Sequence, residues 1–144
     1  MLSLFSCSSP KPVGQFKGYE YVKHGCTAWP MENYKLYYND EGALVIDVET
    51  EYNVVKTIPA PADLPEKIDA LTRQYKLWRL KENYKPPFQV LDGYNWYLYI
   101  RYEGNYTYSS GNNAWPRESL RDGIKAINAL LHEAVEAAGL EVNF

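Results

Sequence analysis

Strict alternation of side chains between residues 94 and 102 constrains the fold more than any other feature of this sequence. Aromatic and aliphatic residues occupy every second position, namely Tyr94, Trp96, Leu98, Ile100 and Tyr102. The positions between them hold Asn95, Tyr97, Tyr99 and Arg101. Because successive side chains of a strand point to opposite faces, we expect the first set in the core and the second set on the outer face of a sheet.

The turn after this strand decides which other side chains reach the outer face. Glu103–Asn105 has turn chemistry, and Tyr106–Ser110 returns as a second strand. A three-residue loop would shift the register by one position and send the two returning tyrosines to the core. A two-residue loop instead predicts one outer patch, made of Tyr97, Tyr99, Arg101, Tyr106 and Tyr108.

Earlier stretches also predict strands. Phe16–His24 is one of them, and the Asn39–Gly42 turn joins a tyrosine-rich run to an apolar run, which is typical of a hairpin. Glu51–Ile58 predicts a continuation after a bend. In the hairpin's second strand, three alternating side chains are expected in the core: Leu44, Ile46 and Val48.

Two segments have helical periodicity. The first begins at Asp63, which forms a capping-box-like pattern with Glu66, and its apolar stripe consists of Leu64, Ile68, Leu71, Tyr75 and Trp78. The second covers Ser119–Ala138 and is ended by Gly139. Within it, Gly123 is expected to permit close packing on the sheet.

The order of these elements is β-β-β-(β)-α-β-β-α. It predicts an α+β fold, with a single antiparallel sheet and both helices on one face. Residues 16–144 are expected to form one domain. Residues 1–15 are expected to be a disordered tether or the remnant of a lipoprotein signal.

A short phrase occurs twice in the chain. Gly25–Pro30 is echoed by Gly111–Pro116, and the longer stretches Phe16–Glu32 and Tyr102–Glu118 share six of 17 residues without a gap. Each copy places a Trp before a Pro, so Trp29 and Trp115 are expected where a strand ends. We interpret the phrase as a recurring corner motif or the relic of a duplication. Each Trp then either plugs the core or forms an exposed platform.

The N-terminus resembles the end of a bacterial lipoprotein signal. Leu4–Cys7 precedes the polar run Ser8–Pro12, which fits lipidation of Cys7. No basic segment precedes it and the apolar stretch is short, so this interpretation requires a start site further upstream. It predicts a lipid-anchored protein of the cell envelope, and without it the expected location is the cytoplasm. If Cys7 is lipidated, Cys26 is a lone thiol, and a Cys7–Cys26 disulfide is the alternative if Cys7 is not lipidated.

Composition and motifs exclude several classes. A net charge of −3 without a Lys/Arg block argues against nucleic acid as a partner, and no apolar stretch has the length of a membrane span. No cofactor or metal motif is present. Two pairs remain as catalytic candidates, His24 with Cys26 and Glu32 with Glu118. In each pair, structural roles are the simpler interpretation.

Two stretches carry a resemblance to known proteins. They are residues 92–100 (Asp-Gly-Tyr-Asn-Trp-Tyr-Leu-Tyr-Ile) and residues 109–116 (Ser-Ser-Gly-Asn-Asn-Ala-Trp-Pro). Over roughly residues 34–138 the chain resembles a loose family of small uncharacterised proteins, often predicted lipoproteins, from gut-dwelling Bacteroidetes and Firmicutes. The resemblance implies the same order of elements and a location in the envelope, and it implies no activity.

These observations favour a non-enzymatic binding module of the bacterial cell envelope. Its expected partner is a protein or a glycan, and it meets a membrane only through a lipid anchor. The predicted binding residues are Tyr97, Tyr99, Arg101, Tyr106 and Tyr108, with Trp29 and Trp115 near one end. The alternative is a small hydrolase-like enzyme that uses Glu32 and Glu118 or Cys26 and His24.

Overall fold

The computed structural model describes residues 9–25, 32–51, 54–88 and 93–141. These residues form two α-helices, α1 (Leu64–Gln74) and α2 (Glu118–Ala137), and a short 3-10 helix, Leu77–Arg79. They also form seven strands: β1 (Phe16–His24), β2 (Glu32–Tyr38), β3 (Leu44–Glu51), β4 (Val54–Pro59), β5 (Asn83–Tyr84), β6 (Asn95–Tyr102) and β7 (Tyr106–Asn112).

All seven strands belong to one mixed sheet. Their order is β4-β3-β2-β1-β6-β7-β5, and every neighbouring pair is antiparallel except β5 with β7. The predicted α+β class is therefore confirmed, but the prediction of a purely antiparallel sheet was wrong. Strand β5 was also missing from the predicted order, because two residues are too few to show an alternating pattern. It is held by tertiary contacts such as the 2.8 Å bond from Asn83 Nδ2 to Ser110 Oγ.

One hydrophobic core lies between the sheet and the two helices. Buried residues of one sheet face form a single cluster with buried residues of α1 and α2. On the central strands this face carries Tyr19, Tyr21, Tyr34, Leu36, Trp96, Leu98 and Ile100. The helices contribute Leu64, Ile68, Leu120, Ile124, Ile127, Leu131 and Val135. The other face of the sheet has no helix packed on it among the described residues.

The first helix is shorter than its apolar stripe predicted. It ends at Gln74, and Lys76 then adopts a left-handed conformation with φ 54° before the 3-10 helix. As a result, Leu77 is buried while Trp78 is half-buried. The predicted capping box was also wrong. The Asp63 side chain makes no capping hydrogen bond and instead forms an ion pair of 3.0 Å with Lys67.

The second helix packs closely against the end of the first. A Cβ added to Gly123 would lie 2.6 Å from Cβ of Tyr75 and 2.9 Å from Cδ2 of Leu77. Close packing at Gly123 is therefore present, but its partner is the α1 end rather than the predicted sheet. Gly139 has φ +84° just beyond α2, which agrees with its predicted role in ending the helix.

In the described parts of the two repeat copies, the strands β1 and β7 finish at the same end of the sheet. His24 at the end of β1 pairs with Asn95, and Asn95 pairs with Asn112 at the end of β7. The second copy also contains the β6–β7 turn, whereas the first copy has continuous strand at the aligned positions. A duplication therefore remains an interpretation of the sequence.

Residues before β1 contact the β6–β7 turn. The Val13 amide donates to Asn105 Oδ1 at 3.2 Å, and the Asn105 amide group donates to the Lys11 carbonyl at 2.7 Å. The Gln15 amide donates to Glu103 Oε1 at 2.8 Å. These bonds attach the last five residues of the predicted tether to the domain.

Candidate functional site

The β6–β7 register places five predicted residues on the uncovered sheet face. Tyr102 N donates to the Asn105 carbonyl at 2.8 Å, which closes a two-residue loop. Tyr99 then lies opposite Tyr108, and Arg101 lies opposite Tyr106. The two-residue register is therefore confirmed. We call the resulting surface the tyrosine patch, and it consists of Tyr97, Tyr99, Arg101, Tyr106 and Tyr108.

Within the tyrosine patch the side chains contact one another. The Tyr99 ring lies 4.7 Å from the Tyr108 ring and 5.9 Å from the Tyr106 ring, measured between centroids. The Arg101 guanidinium carbon lies over the Tyr99 ring at 4.8 Å. Tyr106 is the most exposed tyrosine of the patch, at 59%. Tyr99 is thus the centre of a preassembled aromatic and cationic cluster.

A hydrogen bond joins Tyr97 on β6 to the neighbouring strand β1. The Tyr97 hydroxyl donates to Glu20 Oε1 on β1 at 3.0 Å. Burial and this bond to a carboxylate raise the pKa of Tyr97 to about 12. The phenol therefore stays protonated at neutral pH, and it remains a hydrogen-bond donor to the Glu20 carboxylate beside the patch.

A notch lies beside the tyrosine patch at Gly18. This residue pairs with Tyr37 on one side and with Arg101 on the other, so two long side chains flank a position without one. A Cβ there would lie 2.9 Å from the Leu36 carbonyl oxygen, which leaves no room for a larger residue. The surrounding depression has a volume of about 390 Å³, and its charged border residues are Lys17, Glu20, Lys35 and Arg101. We call it the Gly18 notch.

A second concavity lies on the opposite side of the sheet, between α2 and the strands β1 and β2. It has a volume of about 360 Å³. Its aromatic walls are Tyr21, Tyr34 and Trp115. Its charged and polar lining consists of Lys23, Glu32, Arg121, Lys125, Asn128, His132, Glu133 and Glu136. We call it the α2 cleft.

Glu32 is held in the α2 cleft by a residue of the helix. Asn128 Nδ2 donates to Glu32 Oε2 at 3.3 Å, and Asn128 Oδ1 accepts a 2.7 Å bond from the buried Tyr19 hydroxyl. Burial raises the pKa of Glu32, and the nearby Lys23 and His132 offset this only in part. The Glu32 carboxyl group is therefore positioned by Asn128, which Tyr19 holds in turn, and it is partly shielded from water.

A chain of three groups next to Glu32 resembles a catalytic triad in outline. His132 Nδ1 lies 3.3 Å from the Tyr34 hydroxyl, and His132 Nε2 lies 2.9 Å from Glu136 Oε1. However, burial raises the pKa of Tyr34, and its side chain is only 1% exposed. A protonated, buried phenol is a poor nucleophile. The contacts among Tyr34, His132 and Glu136 therefore orient α2 on β2 rather than activating Tyr34.

His132 and Asn128 line the cleft but were not predicted from the sequence. Their spacing of four residues on α2, with Glu136 another four residues on, is a signal for one helix face. That spacing cannot reveal the contact with β2, because Asn128 and Glu32 are 96 residues apart in sequence.

Trp115 belongs to the helix side of the sheet. Its ring stacks on the buried Trp96 ring, with centroids 5.6 Å apart and planes 3° apart. Lys23 and Arg121 lie over the Trp115 ring at 5.3 and 4.8 Å. The sheet therefore separates Trp115 from the tyrosine patch, and its packing fits the predicted core plug. Cys7, Cys26 and Trp29 lie outside the described residues.

The predicted catalytic carboxylates are not brought together in the cleft. Glu32 lines it, whereas Glu118 is exposed in the first turn of α2 and is not part of its lining. His24 is exposed at the end of β1. In the described ranges, no group of three or more His, Cys, Asp and Glu side chains is arranged to hold a metal ion. No α-helix of those ranges has the length and apolar character needed to cross a membrane.

Comparison with known proteins does not assign the chain to a family. No protein-family model matches the chain, and no curated protein matches it either.

Proposed function

We propose that this chain is a non-enzymatic protein-binding domain of the bacterial cell envelope, and that it binds through the tyrosine patch and the Gly18 notch. One observation carries this proposal. Both helices pack on one face of the sheet, and the tyrosine patch lies on the other face. An aromatic cluster with Arg on an uncovered face has the composition of an interface centre, where Tyr, Trp and Arg are enriched.

Ring contacts favour a protein partner over a glycan. A sugar that stacks on an aromatic residue needs a free ring face. The Tyr99 ring is already in contact with Tyr108, Tyr106 and the Arg101 guanidinium. A protein partner can instead use the edges and hydroxyl groups of such a cluster together with the neighbouring notch.

Charge around the Gly18 notch favours an acidic side chain from the partner. Three cationic residues line it, Lys17, Lys35 and Arg101, against the single carboxylate of Glu20. That carboxylate already accepts the Tyr97 hydroxyl bond. A partner Asp or Glu entering the notch would meet the Arg101 guanidinium, and such pairs form strong bidentate hydrogen bonds.

Location in the envelope is supported by the sequence alone. The lipoprotein-like residues Leu4–Cys7 and the resemblance to predicted lipoproteins motivate it. The hydrolase-like alternative that pairs Glu32 with Glu118 is less well supported, because Glu118 does not line the cleft that holds Glu32.

Site-specific photo-crosslinking in the cells that make the protein tests the proposal. Tyr106 and Val55 are each 59% exposed, and both face away from the helices. A photoreactive amino acid at position 106 is expected to give a discrete crosslinked product, whereas the same label at position 55 gives none. Arg101→Glu combined with the label at position 106 should remove the product. Equal products at both positions, or a product unaffected by Arg101→Glu, would refute the proposal.

A further inference from the structure

The α2 cleft is not used by the proposed function, because it lies on the opposite side of the sheet from the tyrosine patch. Its volume of about 360 Å³ falls within the range of small-molecule sites, at the lower end. Aromatic walls and a few positioned polar groups are also typical of such sites. The cleft therefore has the size and lining of a site for a ligand of its own.

Glu32 provides a recognition group for a cation or a strong hydrogen-bond donor. Among the described side chains it accepts one hydrogen bond, the 3.3 Å bond from Asn128, and it forms no ion pair with a described cation. Lys23, its partner across the β1–β2 pair, has its ammonium group over the rings of Tyr94 and Trp115. A carboxylate can accept about four hydrogen bonds, so Glu32 retains unused acceptor capacity in the cleft.

Charges are separated along the helix that forms one wall. The cations Arg121 and Lys125 lie toward the α2 N-terminus, whereas Glu133 and Glu136 lie toward its C-terminus. Glu32 contacts α2 between these ends, at Asn128. A ligand with one sign of charge would complement one end only. A ligand with a carboxylate at one end and an ammonium group at the other complements both.

Distances along α2 set the length of that ligand. At about 1.5 Å per residue, Asn128 lies roughly 4.5 Å from Lys125 and roughly 10 Å from Arg121 along the helix axis. An extended peptide spans about 3.3–3.6 Å per residue. Two or three residues therefore match the axial separation between Asn128, which contacts Glu32, and the two cations.

From this arrangement we infer that the α2 cleft binds a short peptide of two or three residues with free termini. Its N-terminal ammonium group lies at Glu32, and its C-terminal carboxylate lies at Arg121 and Lys125. Tyr21, Tyr34 and Trp115 form the walls around the peptide. Capture of chain termini by positioned charges is a recurring mode of peptide recognition.

Calorimetric titration of the full chain with four compounds tests this inference. Trialanine is expected to bind, and N-acetyl-trialanine and trialanine amide are each expected to bind at least about tenfold more weakly, because each loses one charge-assisted contact. Free alanine is too short to reach both ends and should also bind more weakly. Equal binding of trialanine and its capped forms would overturn the inference, as would no binding of any of them.

Substitution of the chain assigns each terminus. In Glu32→Gln, trialanine and N-acetyl-trialanine should bind equally weakly, because the group that distinguishes them has been neutralised. Lys125→Ala should reduce the difference between trialanine and its amide in the same way. Glu118→Gln is the matched control, since Glu118 is an exposed glutamate on α2 outside the cleft, and it should preserve both differences. If Glu118→Gln acted as Glu32→Gln does, the cleft would not be the binding site.

Discussion

The Tyr19 hydroxyl donates a 2.7 Å hydrogen bond to the Asn128 side-chain carbonyl, and this buried bond joins β1 to α2. The same Asn128 amide group holds Glu32 at 3.3 Å. The floor of the α2 cleft is therefore fixed from inside the core. The tyrosine patch, in contrast, is assembled from neighbours on one sheet face.

Removing the Tyr19 hydroxyl should destabilise the domain. In Tyr19→Phe the Asn128 carbonyl oxygen loses the hydroxyl that donates to it in a buried position, which costs about 1–3 kcal/mol. The free energy of unfolding by urea measures this loss. Tyr106→Phe is the matched control, because Tyr106 is 59% exposed, and its effect should stay within about 0.5 kcal/mol. Equal effects of the two changes would contradict a structural role for the Tyr19 bond.

At Gly123 an alanine should destabilise the protein, contrary to its usual effect in a helix. Gly→Ala inside a helix normally stabilises by roughly 1 kcal/mol. Here the new Cβ would lie 2.6 Å from Tyr75 Cβ, and such overpacking typically costs about 1–3 kcal/mol.

A double-mutant cycle identifies the cause. With Tyr75→Gly and Leu77→Ala already present, Gly123→Ala should become neutral or stabilising, because Tyr75→Gly removes the Cβ at 2.6 Å and Leu77→Ala removes the Cδ2 at 2.9 Å. Urea unfolding of the four chains gives the coupling free energy. A constant effect of Gly123→Ala in both backgrounds would exclude the steric explanation.

Local patterns left the length of the loop open but otherwise predicted which residues form the tyrosine patch. Its position depends on the period of two in β6 and on the turn Glu103–Asn105, and both are features of adjacent residues. Strand β5 could not be predicted in this way, because its two residues are placed by parallel pairing with β7. The α2 cleft was missed for a similar reason. The contact between Asn128 and Glu32 joins residues 96 positions apart and has no local signal.

Glu32 should make the stability of the domain depend on pH. Burial raises its pKa in the folded state, so the folded state binds the Glu32 proton more tightly than the unfolded state does. The ionised carboxylate therefore destabilises the fold above its folded-state pKa, and this penalty disappears as pH falls below the unfolded value of about 4.3. Glu32→Gln should be more stable than the parent chain at pH 7, and the difference should shrink toward pH 4.

Urea unfolding across this pH range measures that difference. The Gln side chain can still accept a hydrogen bond from Asn128, so the comparison isolates the charge. Glu118→Gln is the control, because Glu118 is exposed. A stability difference for Glu32→Gln that did not change between pH 7 and pH 4 would contradict the raised pKa.

Arg101→Ala should leave the fold nearly unchanged. The side chain is exposed and its described ring contact is with Tyr99 at 4.8 Å, an interaction worth about 0.5–1 kcal/mol at exposed sites. Thermal unfolding and the amide NMR spectrum should therefore resemble those of the parent chain. A large loss of stability would mean that Arg101 supports the sheet, and crosslinking results with Arg101 variants would then report on folding.

Lipidation at Cys7 is predicted from Leu4–Cys7 and the polar run that follows. Protein made from its native locus and labelled with a radioactive or clickable fatty acid should carry the label and sediment with membranes. Cys7→Ser should abolish both properties, because the sulfur that carries the lipid is absent, while Cys26→Ser should retain both. Intact mass of the purified chain checks the same point. A labelled parent chain places the tyrosine patch outside the cytoplasm on a tether, so its partners belong among envelope proteins. An unlabelled, freely soluble parent chain would contradict the envelope proposal and direct the search for partners to the cytoplasm.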